Sequence, residues 1–261
     1  MKTSLYLLPA LLGVASAHAI DIIASGSNQV NLSGTYTQNF DSLLSATGYG
    51  GAPWVNNVTI PGWYSTASSY NANSLFGGLG SYGSDADRAL GSIIGNWELR
   101  FVNQTSQTIS GFSVSFDAEQ WYRAANSPQV ATQLFFYYRI YAATISEAVE
   151  VDSIGGINNW TGVPALWVAA PNLSQTSAAL LDGNAIENSA HVSASVTGIT
   201  LAPGEKLWFK WVTGTPPGNP SALATDNVSV SFTAVPEPAS FAAFAGMGAF
   251  AASSLRRRTR R

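Results

Sequence analysis

Asp117 and Glu119 stand two apart in the run Asp117-Ala118-Glu119-Gln120-Trp121-Tyr122-Arg123. Residues two apart in a strand face the same side, so this spacing presents a carboxylate pair beside the indole of Trp121. Glycoside hydrolysis needs two carboxylates roughly 5–10 Å apart, and an acid next to an aromatic ring suits a sugar platform. A salt bridge to Arg123 or Arg139 accounts for the same acids without any reaction. Eight tryptophans and ten tyrosines widen the aromatic theme. Trp54, Trp63 and Trp160 lie in loop-like sequence and are the candidates for stacking on pyranose rings, whereas Trp97, Trp208 and Trp211 sit inside strand patterns and are assigned to the core. A Ser-His-Asp triad would have to use His191, because the other histidine, His18, falls in the N-terminal leader described below. His191 lies on the polar side of an alternating run, the place of a solvent-facing strand histidine.

Strands have to hold these side chains, because a period of two dominates the sequence. Phe112, Val114 and Phe116 alternate with Gly111, Ser113 and Ser115. Val192, Ala194 and Val196 alternate with Ser193 and Ser195, and Val228, Val230 and Phe232 with Ser229 and Ser231. Each run puts an apolar row on one face and small hydroxyls on the other, the pattern of a half-buried strand. Residues 207–212 and 134–141 are more continuously apolar and are expected to be covered on both faces. Residues 97–102 form a further candidate strand. Gly, Asn, Ser and Pro clusters separate the runs, and residues 56–83 read as long loops carrying short strands. This pattern predicts an all-β fold, a single jelly-roll-like β-sandwich with long Gly/Ser/Asn-rich loops, in preference to an immunoglobulin-like topology. There is no internal repeat of the kind that builds a solenoid or propeller.

Composition narrows the chemistry. Six of the twelve Lys and Arg and fourteen of the fifteen Asp and Glu fall within residues 20–234, so that stretch carries a net charge near −8 although the whole chain is at −3. An acidic domain lacks the basic face that phosphates require, which excludes nucleic acid as the expected partner. It is compatible with cations or neutral sugars. The sequence has no cysteine, which removes disulfides, thiol chemistry and cysteine metal sites.

Both ends depart from the strand pattern. Lys2, an apolar run over residues 5–14 and Ala17-His18-Ala19 have the three parts of a secretory signal peptide, residues 1–19. Cleavage is expected after Ala19 or, reading Ala15-Ser16-Ala17, after Ala17. At the other end, Val235-Pro236-Glu237-Pro238 precedes 17 uncharged residues, 239–255, and then Arg256-Arg257-Arg258-Thr259-Arg260-Arg261. Seventeen residues are near the lower limit for a helix crossing about 30 Å of hydrocarbon, and the arginines would stay cytoplasmic by the positive-inside rule. This order of motif, short transmembrane helix and basic tail resembles the PEP-CTERM sorting signal of Gram-negative, exopolysaccharide-producing bacteria. The resemblance covers residues 235–261, about a tenth of the chain. It implies recognition of Pro236, Glu237 and Pro238 by an exosortase-type processing enzyme and a cytoplasmic stop at Arg256, Arg257 and Arg258. It further implies transit through the inner membrane and delivery to the cell surface or extracellular matrix.

A second likeness concerns the edges of the domain spanning residues 20–234. Asn39-Phe40-Asp41-Ser42-Leu43 near its start and Thr225-Asp226-Asn227-Val228 near its end resemble the edges of exported jelly-roll modules. In those modules an acidic residue after an early Phe and another opening the last strand approach each other around a structural calcium. The resemblance implies a calcium ion at Asp41 and Asp226, with backbone carbonyls and waters completing a shell of six to eight oxygens. Two turn residues bonding to backbone explain the same acids. No other cofactor is expected. The function expected from the sequence is that of an exported, non-enzymatic surface or matrix protein associated with exopolysaccharide and biofilm. The alternatives are a carbohydrate-binding module using Trp54, Trp63 and Trp160, and a glycan hydrolase using Asp117 and Glu119.

Overall fold

The computed structural model describes residues 20–23, 30–43, 51–75, 77–84, 86–125, 130–174, 176–214, 216 and 218–235. The expected signal peptide with Ala17 and Ala19, and the expected sorting signal with Pro236, Glu237, Pro238, residues 239–255 and Arg256, Arg257 and Arg258, lie outside the described residues. Among the described residues no helix is long and apolar enough to cross a membrane.

The chain begins with β1 (Ile20–Ile23), β2 (Val30–Asn31) and β3 (Thr35–Gln38), then the short β4 (Gly51–Pro53), β5 (Trp63–Tyr64) and β6 (Ser69–Ala72). Next come β7 (Leu79–Gly83), β8 (Arg88–Ser92), β9 (Asn96–Asn103), β10 (Ile109–Arg123) and β11 (Gln133–Tyr141). The six-residue α1 (Glu147–Asp152) precedes β12 (Thr161–Gly162), β13 (Val168–Ala169) and β14 (Ala179–Leu180). β15 (Ser189–Leu201), β16 (Lys206–Thr213) and β17 (Ala222–Ala234) complete the set.

Two sheets result. The first runs β12-β11-β16-β9-β1-β2, with β13 on β11 and β5 on β9. The second runs β14-β10-β17-β8-β7-β6-β4, with β15 along β10 and β3 along β17. From β8 to β11, and again from β15 to β17, the chain alternates between the sheets, so long strands adjacent in sequence face each other across the core. This is the all-β sandwich that the alternation predicts.

The inward rows meet as their spacing requires. Phe112, Val114 and Phe116 of β10 and Val228 and Val230 of β17 are buried, and Leu207, Phe209 and Trp211 of β16 face them from the other sheet. Trp63 stacks on Trp211 with ring centroids 5.3 Å apart, while Phe116 and Phe136 approach the same indole edge-on at 5.8 and 5.1 Å. Burying each such side chain is worth roughly 1.5–3 kcal/mol.

β16 is buried on both faces, as its apolar run predicts. Its outer face lies under a strap, residues 142–160, to which Lys206, Trp208 and Lys210 all bond. β11 departs from the expectation of two covered faces. Leu134 and Phe136 are buried, but Phe135, Tyr137 and Arg139 on the outer side are only half-buried, since short pieces such as β12, β13 and the Trp167 ring cover that side, and the inward Tyr138 and Ile140 pack at the core's margin.

Two local irregularities position polar groups. Phe40 is wholly buried with a φ of 58°, a left-handed conformation uncommon for a bulky residue. Its N–H donates to Gln38 Oε1 at 2.8 Å, and its ring meets Trp63 edge-on at 4.8 Å. The tight turn brings Asp41 against β8. In β17 the register with β10 shifts between Ser115 and Asp117, where Asn227 has a φ of 49°. This bulge divides the outer face of the second sheet into an open half and a covered half.

Candidate functional site

The open half is a hydroxyl lattice. Ser113 on β10 pairs with Ser195 on β15 and with Ser231 on β17, which pairs with Thr35 on β3. One step along, Ser115 pairs with Ser193 and with Ser229, which pairs with Thr37. Two rows of four hydroxyls therefore cross β15, β10, β17 and β3 in register. The four on the central strands are half-buried and the four on the outer strands exposed, and all of them except Thr37 line a shallow trough with a volume of about 520 Å³. Ser113 and Ser195 bond each other at an Oγ–Oγ distance of 2.7 Å. A hydroxyl carries one donor and two acceptor positions, so this pair keeps capacity for a ligand.

At one end the trough meets acidic residues on the same face of β10. Asp117 Oδ1 bonds His191 Nδ1 at 2.7 Å, and its Oδ2 accepts from the Asn227 amide at 2.9 Å. His191 is exposed, as its place in the alternation predicts. Glu119 is buried beyond it and accepts the Trp121 indole N–H at 2.9 Å. Burial pushes the Glu119 carboxyl up to about 8, with the negative charges of Asp226, Asp87 and Asp117 acting in the same direction. Asp226 lies opposite Asp117 and is only 2% exposed, and its Oδ1 has no hydrogen-bond partner. Burial raises its carboxyl to about 7; the backbone N–H of Asn227 opposes this, while Asp87, Asp41 and Asp117 reinforce it.

Asp41 thus lies near enough to Asp226 for their charges to interact. Its own oxygens accept the backbone N–H of Arg88 at 3.0 Å and the side-chain amide of Asn39. Among the described residues no three His, Asp or Glu side chains converge as metal ligands, so an ion here would need backbone carbonyls and water beside these two carboxylates.

Several expectations are corrected. Trp54, Trp63 and Trp160 are 4%, 0% and 9% exposed, and none offers a free ring face for a sugar. They are anchors: Trp54 packs edge-on to Tyr70, Trp63 on Trp211, and Trp160 beneath the ammonium of Lys210. Long loops over a sandwich need apolar weights to hold them down, and these indoles supply it. Neither arginine pairs with the Asp117–Glu119 acids. Arg123 bonds Asn172 and Ser177, and Arg139 lies over the Tyr141 ring in the opposite sheet. Nor do Asp117 and Glu119 form an open catalytic pair, since one is clamped between His191 and Asn227 and the other is buried against Trp121.

A charged network under the strap was missed by sequence reasoning. Glu150 of α1 accepts from Arg100 Nε at 2.7 Å and from Trp208 Nε1 at 2.9 Å, and Lys206 Nζ lies 3.7 Å from its other oxygen. The available signal was Lys206 and Lys210 inside an otherwise apolar strand, because a buried ammonium needs a partner.

No family model matches this chain, and no curated protein matches it. Solved structures do. A CBM61 carbohydrate-binding module in complex with beta-1,4-galactotriose is 10% identical, with 56% of this chain and 71% of that chain covered and a TM-score of 0.28. The CBM22 tandem domain of Paenibacillus barcinonensis Xyn10C is 11% identical, covering 67% and 46%, with a TM-score of 0.34. The K3 cleaved adhesin domain of Lys-gingipain from Porphyromonas gingivalis is 13% identical, covering 65% and 91%, with a TM-score of 0.37.

Proposed function

We propose that this chain is an exported surface or extracellular-matrix protein whose jelly-roll sandwich acts without catalysis, by associating with exopolysaccharide. The observation that carries this reading is the uncharged hydroxyl trough on an otherwise acidic domain. Asp117 and Glu119 nearby are committed to contacts within the fold, whereas the hydroxyls face outward in ordered rows. The jelly-roll reading is supported by the orders β8-β17-β10-β15 and β9-β16-β11-β12. Export through the inner membrane and sorting by an exosortase-type enzyme rest on the two terminal signals, with Pro236, Glu237 and Pro238 as the recognised triplet. Mass spectrometry of the protein recovered from intact cells tests both. Termini at Ile20 and close to Pro236 agree with this route, and an uncleaved chain in the cytoplasm ends it.

A structural calcium ion at Asp41 and Asp226 is a second reading. It is favoured by the buried, unpartnered Asp226 Oδ1, an oxygen that a hard cation would satisfy.

A further inference from the structure

We infer that the hydroxyl trough holds a single extended strand of a neutral, β-linked polysaccharide lying across β15, β10, β17 and β3. The inference rests on the matrix reading above and names its ligand class. Neighbouring strands lie about 4.8 Å apart, so each row sets a Ser or Thr backbone position at about that interval over roughly 14 Å, with the Ser113 and Ser195 hydroxyls drawn together to 2.7 Å, and the two rows are roughly 6.8 Å apart. A flat, ribbon-like β-linked glycan turns ring hydroxyls outward at a similar interval on both of its edges. A helically coiled α-linked chain leaves a flat row after a few rings.

Charge selects in the same direction. The two rows contain no ionisable side chain, and the nearest ones, Asp117 and His191, are bonded to each other at the trough's end. A polyanion therefore meets no cation there and approaches a domain of net charge near −8, while a polycation finds no free carboxylate in the rows. Each hydroxyl both donates and accepts, which matches sugar hydroxyls that do the same. Serine and threonine are short, so ordering them on a ligand sacrifices little rotamer freedom.

The test is gel retardation of the full-length chain by three probes: hydroxyethyl cellulose (neutral, β-linked), soluble starch (neutral, α-linked) and alginate (acidic). Retardation by hydroxyethyl cellulose alone is expected. Ser115→Arg and Ser229→Arg should each weaken it by about tenfold or more, the equivalent of losing one or two good hydrogen bonds. A Ser113→Ala/Ser229→Ala double variant, which preserves the fold, should weaken it several-fold. Thr144→Arg, exposed in the strap over the other sheet, should leave it unchanged. Equal binding by the trough variants, preference for alginate or starch, or no retardation at all overturns the inference. So does a dimer in sedimentation, or thermal hysteresis of ice, that Ser229→Arg abolishes while glycan binding persists. Fractionation of producing cells separates the two readings. If Ser115→Arg stays in the matrix like the wild type, the trough assignment fails and the matrix reading stands. If the wild type is absent from the matrix yet binds the β-linked probe, the matrix reading fails and the ligand assignment stands.

Discussion

Lys210 on β16 faces Glu98 on β9, its ammonium 3.1 Å from Glu98 Oε1, with both side chains almost wholly buried. The same ammonium donates to the carbonyls of Ile154 and Gly156 in the strap and lies 5.1 Å from the centre of the Trp160 ring. One cation thus joins a sheet, a loop and an aromatic anchor.

Glu98 makes stability fall with rising pH. Burial pushes the Glu98 carboxyl up to about 7, against the opposing effects of Lys210 and Asn96. The folded protein then holds the proton more tightly than the unfolded chain. Its stabilising contribution is complete below about pH 4.5 and is lost as pH rises through about 7. Urea denaturation at pH 5 and pH 8 should differ by on the order of 2–3 kcal/mol from this group. Glu98→Gln should remove that share and leave the parallel contributions of Glu119 and Asp226, and an unchanged profile in the variant would assign the effect elsewhere.

Glu150→Ala should loosen the strap before it loosens the sandwich. The substitution leaves Arg100 and Trp208 buried without their shared acceptor, a loss of about 3–5 kcal/mol for a broken buried pair. Hydrogen exchange should accelerate first in residues 142–160. Equal acceleration in β10 and β17 would show that strap and core open together.

Trp63→Ala should act on stability. The indole is fully buried between Phe40 and Trp211, so its removal costs about 3–5 kcal/mol. Chemical denaturation gives the loss directly. A variant of wild-type stability that fails to bind glycan would restore the aromatic platform.

Calcium makes a prediction of definite sign at Asp226. If the ion binds, adding calcium to chelated protein should raise the melting temperature, corresponding to about 2.7 kcal/mol at a hundredfold excess over Kd. Asp226→Asn should abolish the response. A melting temperature indifferent to chelator removes the ion from this corner.

The strands were legible because alternation is a property of each run by itself. Phe112, Val114 and Phe116 announce an inner face whatever they later pack against, and Trp97, Trp208 and Trp211 declare themselves buried by standing in strongly apolar strand runs. The trough was legible only by halves. Ser113, Ser195 and Ser231 each read as outward hydroxyls, but their lateral alignment with one another and with Thr35 depends on pairing between strands more than 80 positions apart in places, as with Ser113 and Ser195. The loop tryptophans misled for a related reason. Trp54 and Trp160 stand among Gly and Asn, where local sequence gives no sign of the apolar weight a long loop needs. The closeness of Asp41 and Asp226 was anticipated from resemblance to other modules, while the orphaned oxygen on Asp226 required three dimensions.

The strap has a consequence for the conditions in which this protein keeps its shape. Secreted domains commonly clip their long loops with sulfur bridges, but this sequence has no cysteine. Here the clips are lysine ammonium groups gripping backbone carbonyls: Lys206 on Ala143 and Ile145, and Lys210 on Ile154 and Gly156. A reductant or an oxidant finds nothing in such a fastening to cut or to form. Concentrated guanidinium, a cation that competes for the same carbonyls, is the agent to which the loop should yield first.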